Sequence, residues 1–272
     1  MEMRRGAVEP DVVSFNALGS ACEKAHQWRT NLALLHEMRH VGPVPDVVTC
    51  SVAISACARG RQWQRALHLL MEMCEEGPKP DAVTYSAAIS ACERGAQWQY
   101  ALGLLGLMVR ANLGHTLVAY NAAASACAKG HEWRRAVDLL AVAKQRCIGP
   151  DAFTYSAAVH ACGKGQQWQF SLRLLDAMRD DGLEPNVVIY GAALSACENG
   201  QQWQWALQLL GEMEMDGPGP DVAAYNVSIG ACERGQQWQH ALELLGQMRQ
   251  KALEPSAATH RTLIQACNRV QL

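Results

Sequence analysis

The chain has 272 residues, 49% of them hydrophobic and 18% charged, which gives ample apolar surface for a folded core and excludes the composition of a disordered chain. Its 24 basic and 26 acidic residues leave a net charge of −2, so no strong global field draws it to nucleic acid or an anionic membrane, and any basic surface has to be local. No apolar run approaches the roughly 18 residues of a membrane span, the first residues lack the apolar middle of a secretory signal, and eleven Cys in a long chain favour a reducing compartment over a disulfide framework.

Length alone suggests two domains of about 150 residues, but internal repetition replaces that reading. Met1 to Asp11 contains EMRRGAVEPD, close to DAMRDDGLEPN further on, and reads as the tail of a preceding repeat. From there Trp28, Trp63, Trp98, Trp133, Trp168, Trp203 and Trp238 advance by a constant step, as do Cys22, Cys57, Cys92, Cys127, Cys162, Cys197, Cys232 and Cys267. Pro10, Pro45, Pro80, Pro150, Pro185, Pro220 and Pro255 keep the same step, with His115 standing in once. The expected domain organisation is seven full 35-residue repeats, 12–46, 47–81, 82–116, 117–151, 152–186, 187–221 and 222–256, followed by a partial eighth at 257–272, the whole being a piece of a longer array.

Within one repeat, Tyr85, Ala88, Ile89 and Cys92 space out as the apolar stripe of a short helix behind Pro80 and Asp81. After Gly95, Trp98, Ala101, Leu102, Leu104, Leu105 and Met108 form a second stripe, so each repeat is predicted to be a helical hairpin. Gly42, Gly77, Gly182 and Gly217, with Asn112 in the same slot, are expected to take the left-handed conformation after the second helix, where the following Pro stops the chain from continuing as helix. Two short helices cannot bury both stripes alone, so the predicted fold is all-α, an α-solenoid of stacked antiparallel hairpins coiled as a right-handed superhelix.

The Cys register is not a metal or redox ladder, because neighbouring repeats lie about 8 to 10 Å apart, too far for a disulfide or shared zinc site. Those Cys are expected to fill a core layer, and each Trp to pack across its own hairpin. The sequence contains no H-E-x-x-H, G-x-S-x-G or phosphate-loop motif, so no catalytic residues, metal or cofactor are assigned.

Function is sought in the slots that vary inside the regular frame. The fifth residues are Asn16, Ser51, Ser86, Asn121, Ser156, Gly191 and Asn226. Three places earlier stand Val13, Val48, Val83, Val118, Phe153, Val188 and Ala223, and eight places later Lys24, Arg59, Arg94, Lys129, Lys164, Asn199 and Arg234. At about 100° per residue these slots share an arc of about 80° on the first helix. An apolar platform, a polar reader and a cation suit a base, its edge and its phosphate. The final slots, Asp46, Asp81, Thr116, Asp151, Asn186, Asp221 and Ser256, are equally good helix N-caps. On these residues alone, single-stranded nucleic acid and a peptide held in the groove of a protein scaffold both remain open.

Units such as PDAVTYSAAISACERGAQWQYALGLLGLM, with length 35, a V-V-T-Y-N-like opening, A-L-x-L-L-x-x-M in the second helix and a G-x-x-P-D ending, resemble the P-class pentatricopeptide repeat family over essentially the whole chain. The resemblance implies sequence-specific binding of single-stranded RNA, one base per repeat, by a non-catalytic adaptor in RNA processing, stability, editing or translation, in a chloroplast or mitochondrion. It implies protein partners in an RNA-processing complex, with neither DNA nor membrane as a partner. It further implies that the fifth and final slots read the base and the second clamps it, while the chemistry of the cation row itself assigns Lys24, Arg59, Arg94, Lys129, Lys164 and Arg234 to phosphate. Carried over, Asn16 with Asp46 and Asn121 with Asp151 imply U, Ser51 with Asp81 implies G, Ser156 with Asn186 implies A, and Asn226 with Ser256 implies C. Ser86 with Thr116 and Gly191 with Asp221 depart from the usual combinations, and Arg261 in the last partial unit fits none. The implied site is 5′-UGNUANC-3′.

Overall fold

A computed structural model describes residues 11–215 and 217–268. Met1 to Pro10, part of the expected preceding tail, lie outside the described residues. Those described are entirely helical and turn, without strands. One compact unit, up to Gly130 and including Gln145–Ile148, holds α1 (Val12–Lys24), α2 (Trp28–Val41), α3 (Val47–Arg59), α4 (Trp63–Glu75), α5 (Ala82–Arg94), α6 (Trp98–Arg110) and α7 (Leu117–Lys129). The other, formed by His131–Lys144 and the chain from Gly149 onward, holds α8 (Trp133–Gln145), α9 (Ala152–Lys164), α10 (Trp168–Asp180), α11 (Val187–Asn199), α12 (Trp203–Met215), α13 (Val222–Arg234), α14 (Trp238–Gln250) and α15 (Ala257–Asn268).

Local chemistry sets the helix starts. Asp11, Asp46, Asp81, Thr116, Asp151, Asn186 and Asp221 each place a side-chain oxygen on an N–H of the first turn, at 2.8 Å for Asp46 to Thr49 and Asp81 to Thr84. Each such cap is worth about 1 kcal/mol. In α3, α5 and α9 a Thr three residues on returns its hydroxyl to the cap residue's N–H, closing a capping box with Thr in the usual Glu position. Gln precedes α2, α4, α6, α10 and α14 without capping them through its side chain.

Packing follows the repeat. In the first unit α1 lies on α3, α3 on α5 and α5 on α7; in the second α9 lies on α11, α11 on α13 and α13 on α15. The odd-numbered helices approach closely because small residues line them: Ala88, Ala91, Cys92, Ala123, Ala126 and Cys127 have no exposed surface. Leu105, Met108, Leu175, Met178, Leu210 and Met213 of the even-numbered helices close the core behind them. Burial pushes the Cys92, Cys162, Cys197 and Cys232 thiols up to about 12. Cys57, Cys92, Cys127, Cys162, Cys197 and Cys232 of the register are core filler, as their spacing predicts, while Cys22 is only partly buried.

One expectation about packing is extended and one is corrected. Trp28, Trp63, Trp133, Trp168 and Trp203 each also reach the next hairpin, against a glycine. A Cβ built on Gly60 would stand 2.3 Å from Trp28 Cδ1, and on Gly95, Gly165, Gly200 and Gly235 2.5 Å from the same atom of Trp63, Trp133, Trp168 and Trp203. Those glycines cap the preceding helix at ordinary negative φ, as at Gly60 (φ −78°) and Gly95 (φ −84°), while the next residue, such as Arg61 (φ 55°) or Ala96 (φ 54°), takes the left-handed turn. Glycine is therefore required for space, not for its backbone freedom.

The glycines after the second helices divide. Gly182 (φ 75°) and Asn112 (φ 53°) are left-handed as expected, but Gly42 is extended (φ −102°, ψ −170°) and Gly77 and Gly217 are also outside the left-handed region. At those three the reason is again steric, since a Cβ would come within 3.0, 2.8 and 2.7 Å of the backbone of Met38, Met73 and Met213.

Candidate nucleic-acid interface

The second slot of the first helices is apolar and outside the core. Val13, Val48, Val83, Val118, Phe153 and Val188 are all more than half exposed, from 54% to 72%, although each is the second residue of its helix. Ala223 continues the row and is exposed as well. Apolar side chains repeated at one exposed slot are costly to hydrate and suit a flat apolar partner.

Beside this row lie the readers, and at three of them the fold joins the reader to the final slot of the same repeat, which is also the N-cap of the next first helix. Asn16 Nδ2 donates to Asp46 Oδ1 at 3.3 Å, Ser86 and Thr116 share a hydroxyl bond of 3.1 Å, and Asn226 Nδ2 donates to Ser256 Oγ at 3.5 Å. Each pair is 30 residues apart in sequence. Asp46, Thr116 and Ser256 therefore cap a helix and bond to the fifth-slot residue at once. Although desolvation opposes it, the N–H and hydroxyl of Thr49 and the amide of Asn16 together hold the Asp46 carboxyl below its usual range, so it faces the reader as an anion. Asn121 belongs to the first unit and Asp151 to the second. Ser156 and Gly191 lie half-buried in α9 and α11, with Asn186 and Asp221 exposed at the next helix starts.

A further contributor escaped the sequence reading. The third residue of the following helix touches the reader: Thr49 Oγ1 donates to Asn16 Oδ1 at 2.6 Å, Thr84 and Ser51 share a hydroxyl bond of 2.7 Å, and Thr259 Oγ1 donates to Asn226 Oδ1 at 2.5 Å. All three Thr are buried. The signal was available, because this slot alternates between Thr and the apolar Ala119, Ile189 and Ala224.

The cation row is exposed, as its position near the helix ends predicts, but carboxylates neutralise half of the six assigned cations. Arg59 Nε stands 2.9 Å from Glu23, Lys129 Nζ 2.5 Å from Glu93 and Arg234 Nη2 3.2 Å from Glu198. Ser55 and Ser125 donate to the same Glu23 and Glu93 carboxylates. Burial holds Glu198 above the usual carboxylate range, Arg234 notwithstanding. Among the described residues Lys24, Arg94 and Lys164 have no such partner, and Lys164 helps burial to lower the neighbouring His160. Asn199 carries no charge and bonds to Arg234 instead.

Comparison with known proteins decides the family. The PPR repeat family matches residues 45–94 and 220–269, the pentatricopeptide repeat domain 173–235, and the PPR repeat 83–113 and 153–183. The chain is a pentatricopeptide repeat protein. Its fold is similar to the crystal structure of the pentatricopeptide repeat protein PPR10 from maize, with a TM-score of 0.73 and 29% identity over 94% of this chain. It spans 37% of that chain's length. The crystal structure of PPR10 in complex with an 18-nt psaJ RNA element matches with a TM-score of 0.51 and 17% identity, over 100% of this chain and 50% of that one. The PPR domain of Arabidopsis thaliana protein-only RNase P 1 in complex with tRNA matches at 0.57 and 14%, over 66% of this chain and 95% of that one. At those identities the last two establish the helical-repeat fold alone. No curated protein sequence matches the chain. Among the described residues, no His, Cys, Asp or Glu cluster is arranged to hold a metal, and no helix is long and apolar enough to cross a membrane.

Proposed function

We propose that this pentatricopeptide repeat chain binds single-stranded RNA in a defined sequence, each repeat from 12–46 to 222–256 presenting one base-reading pair. The observation that carries the reading is the contact between fifth and final slots, at Asn16–Asp46, Ser86–Thr116 and Asn226–Ser256, beside a row of exposed aliphatic side chains. The chemistry of the pairs supports the base assignments. An Asn N–H donor next to the Asp46 acceptor complements a carbonyl and the N3–H of uracil, whereas Ser256 beside Asn226 can donate to the unprotonated N3 of cytosine. In this reading the apolar slot packs the base face, and the cations without a carboxylate partner, Lys24, Arg94 and Lys164, take the phosphates. The RNA in the two neighbouring complexes and the family's usual place support an adaptor of RNA processing, stability, editing or translation in a chloroplast or mitochondrion, without catalysis of its own.

A titration of 5′-UGNUANC-3′ RNA against a shuffled sequence at fixed salt tests the proposal. Tighter binding of the ordered site is expected. Equal affinity for both would remove the code, and no binding to either would favour a peptide in the same groove. Asn121→Ser is expected to move preference at the fourth base from U toward G.

A further inference from the structure

The readers occupy the same slot but are not all held in the same way. Asn is a two-faced residue: its carbonyl accepts, its NH2 donates, and a half turn of the amide exchanges them. A reader free to make that turn offers either polarity to a base and discriminates poorly. At Asn16 the turn is blocked from two sides. The Thr49 hydroxyl lies 2.6 Å from Oδ1 and 2.8 Å from Asp46 Oδ1, so its one proton bridges the two oxygens, and the anionic Asp46 lies 3.3 Å from Nδ2, where a carbonyl oxygen would be repelled. Asn226 has an uncharged final-slot partner, so its orientation rests on Thr259. The backbone N–H of Ser256 donates to Thr259 Oγ1 at 2.9 Å, which occupies the oxygen's acceptor side and leaves its proton for Asn226 Oδ1.

Sequence supplies a second observation. The residue at the same offset from each Asn reader is Thr, namely Thr49 after Asn16, Thr154 after Asn121 and Thr259 after Asn226. After Ser86, Ser156 and Gly191, which have no amide to orient, it is Ala119, Ile189 and Ala224. Ser51, followed by Thr84, shows that the slot takes Thr beside a hydroxyl reader as well. Capping alone does not explain this division, because Ala119, Ile189 and Ala224 follow N-caps that still bond to the helix's first turn.

We infer that the third-slot Thr of the following helix is a positioning residue for base choice, fixing an Asn reader with its carbonyl satisfied inside the protein and one N–H left for an acceptor on a pyrimidine. The inference rests on the RNA-reading proposal above and adds a residue to each Asn-reading unit. The carbonyl oxygen at C2 that uracil and cytosine share suits that N–H, while the final slot separates the two bases.

The test uses the full chain and RNA 5′-UGAUAAC-3′ together with its counterpart carrying A at the first base. For Thr49→Val, which keeps the shape and removes the hydroxyl, the preference for U over A at that base is expected to fall by about fivefold to tenfold, the effect of one hydrogen bond of ordinary net strength. Thr49→Ser, which keeps the hydroxyl, is expected to retain it. An unchanged preference in Thr49→Val overturns the inference while leaving the RNA reading intact; no preference in the unaltered chain overturns both. A gain-of-function pair avoids any confusion with misfolding. Ser86→Asn alone, facing Ala119, is expected to gain little pyrimidine preference at the third base, and Ser86→Asn with Ala119→Thr to gain it. The equivalent Thr84 and Thr154 are accommodated fully buried. Equal gain by the single variant refutes a role for the Thr.

Discussion

Gly95→Ala isolates the reason for the glycine between the two helices. At φ −84° and ψ 0° the backbone accepts any L-residue, and Ala25 occupies the same slot of the first hairpin at φ −80° and ψ 5°. On backbone grounds alone the change would stabilise the chain by about 0.4–1 kcal/mol, through a less flexible unfolded state. The Trp63 ring reverses the sign, because a Cβ on Gly95 would lie 2.5 Å from Cδ1, 2.8 Å from Cγ and 3.1 Å from Cβ of Trp63, so the bulky part of the side chain nearest its backbone has to move. Overpacking of this kind costs about 1–3 kcal/mol, which exceeds the backbone gain. Gly95→Ala is therefore expected to destabilise the chain by up to about 2.6 kcal/mol, the largest difference of those terms. In a Trp63→Ala background it is expected to be neutral or stabilising. Urea denaturation followed by far-ultraviolet circular dichroism on all four proteins completes the cycle, with slopes compared because repeat arrays can lose two-state behaviour. Additive effects of the two substitutions would refute the steric argument.

Other consequences are equally direct. Glu93→Gln releases Lys129 from its ion pair and is expected to tighten RNA binding irrespective of sequence, steepening the salt dependence by about 0.7 in log–log slope as one more phosphate is neutralised. An unchanged slope would mean that Lys129 does not reach RNA. Native-state thiol labelling is expected at exposed Cys74 and Cys147, with the buried Cys57, Cys92, Cys162, Cys197 and Cys232 reacting only on unfolding; early labelling of those five would contradict a close-packed layer. Asp46, Asp181, which accepts from Lys144 and Tyr155, and Glu214, which accepts from Lys251 and Tyr225, have carboxyls held below their unfolded values, so their stabilisation is complete above the ordinary carboxylate range of about 4 and is lost as pH falls through the lower folded values. Glu198 is shifted the other way by burial, and acidification through its raised value favours the folded state. Carboxyl titration by NMR is expected to find Glu198 above and Glu214 below the ordinary Glu value; the reverse order would refute the burial and pairing assigned to them.

Much of this protein can be read in one dimension. The constant step of Trp, Cys and Pro, the apolar stripes and the Asp, Thr, Asn or Ser ahead of each first helix determine helix position, core composition and the slots left to vary, because each depends on residues within one or two helical turns. The Cys layer and exposed second-slot row follow from that local periodicity. What only the tertiary structure decided lies between hairpins. The Trp rings meet glycines of the next turn, Asn16 meets Asp46 and Thr49 at separations of 30 and 33 residues, and Lys129 meets Glu93 at 36. These separations straddle the repeat length because stacking sets each side chain against a neighbour slightly before or after its own equivalent. A repeat pattern aligns equivalents with one another, so it reveals which slots vary but not which unlike slots touch. The orientation of the Asn amides and the partial neutralisation of the cations depend on those unlike contacts, whose energies are set by distance and burial across the stack.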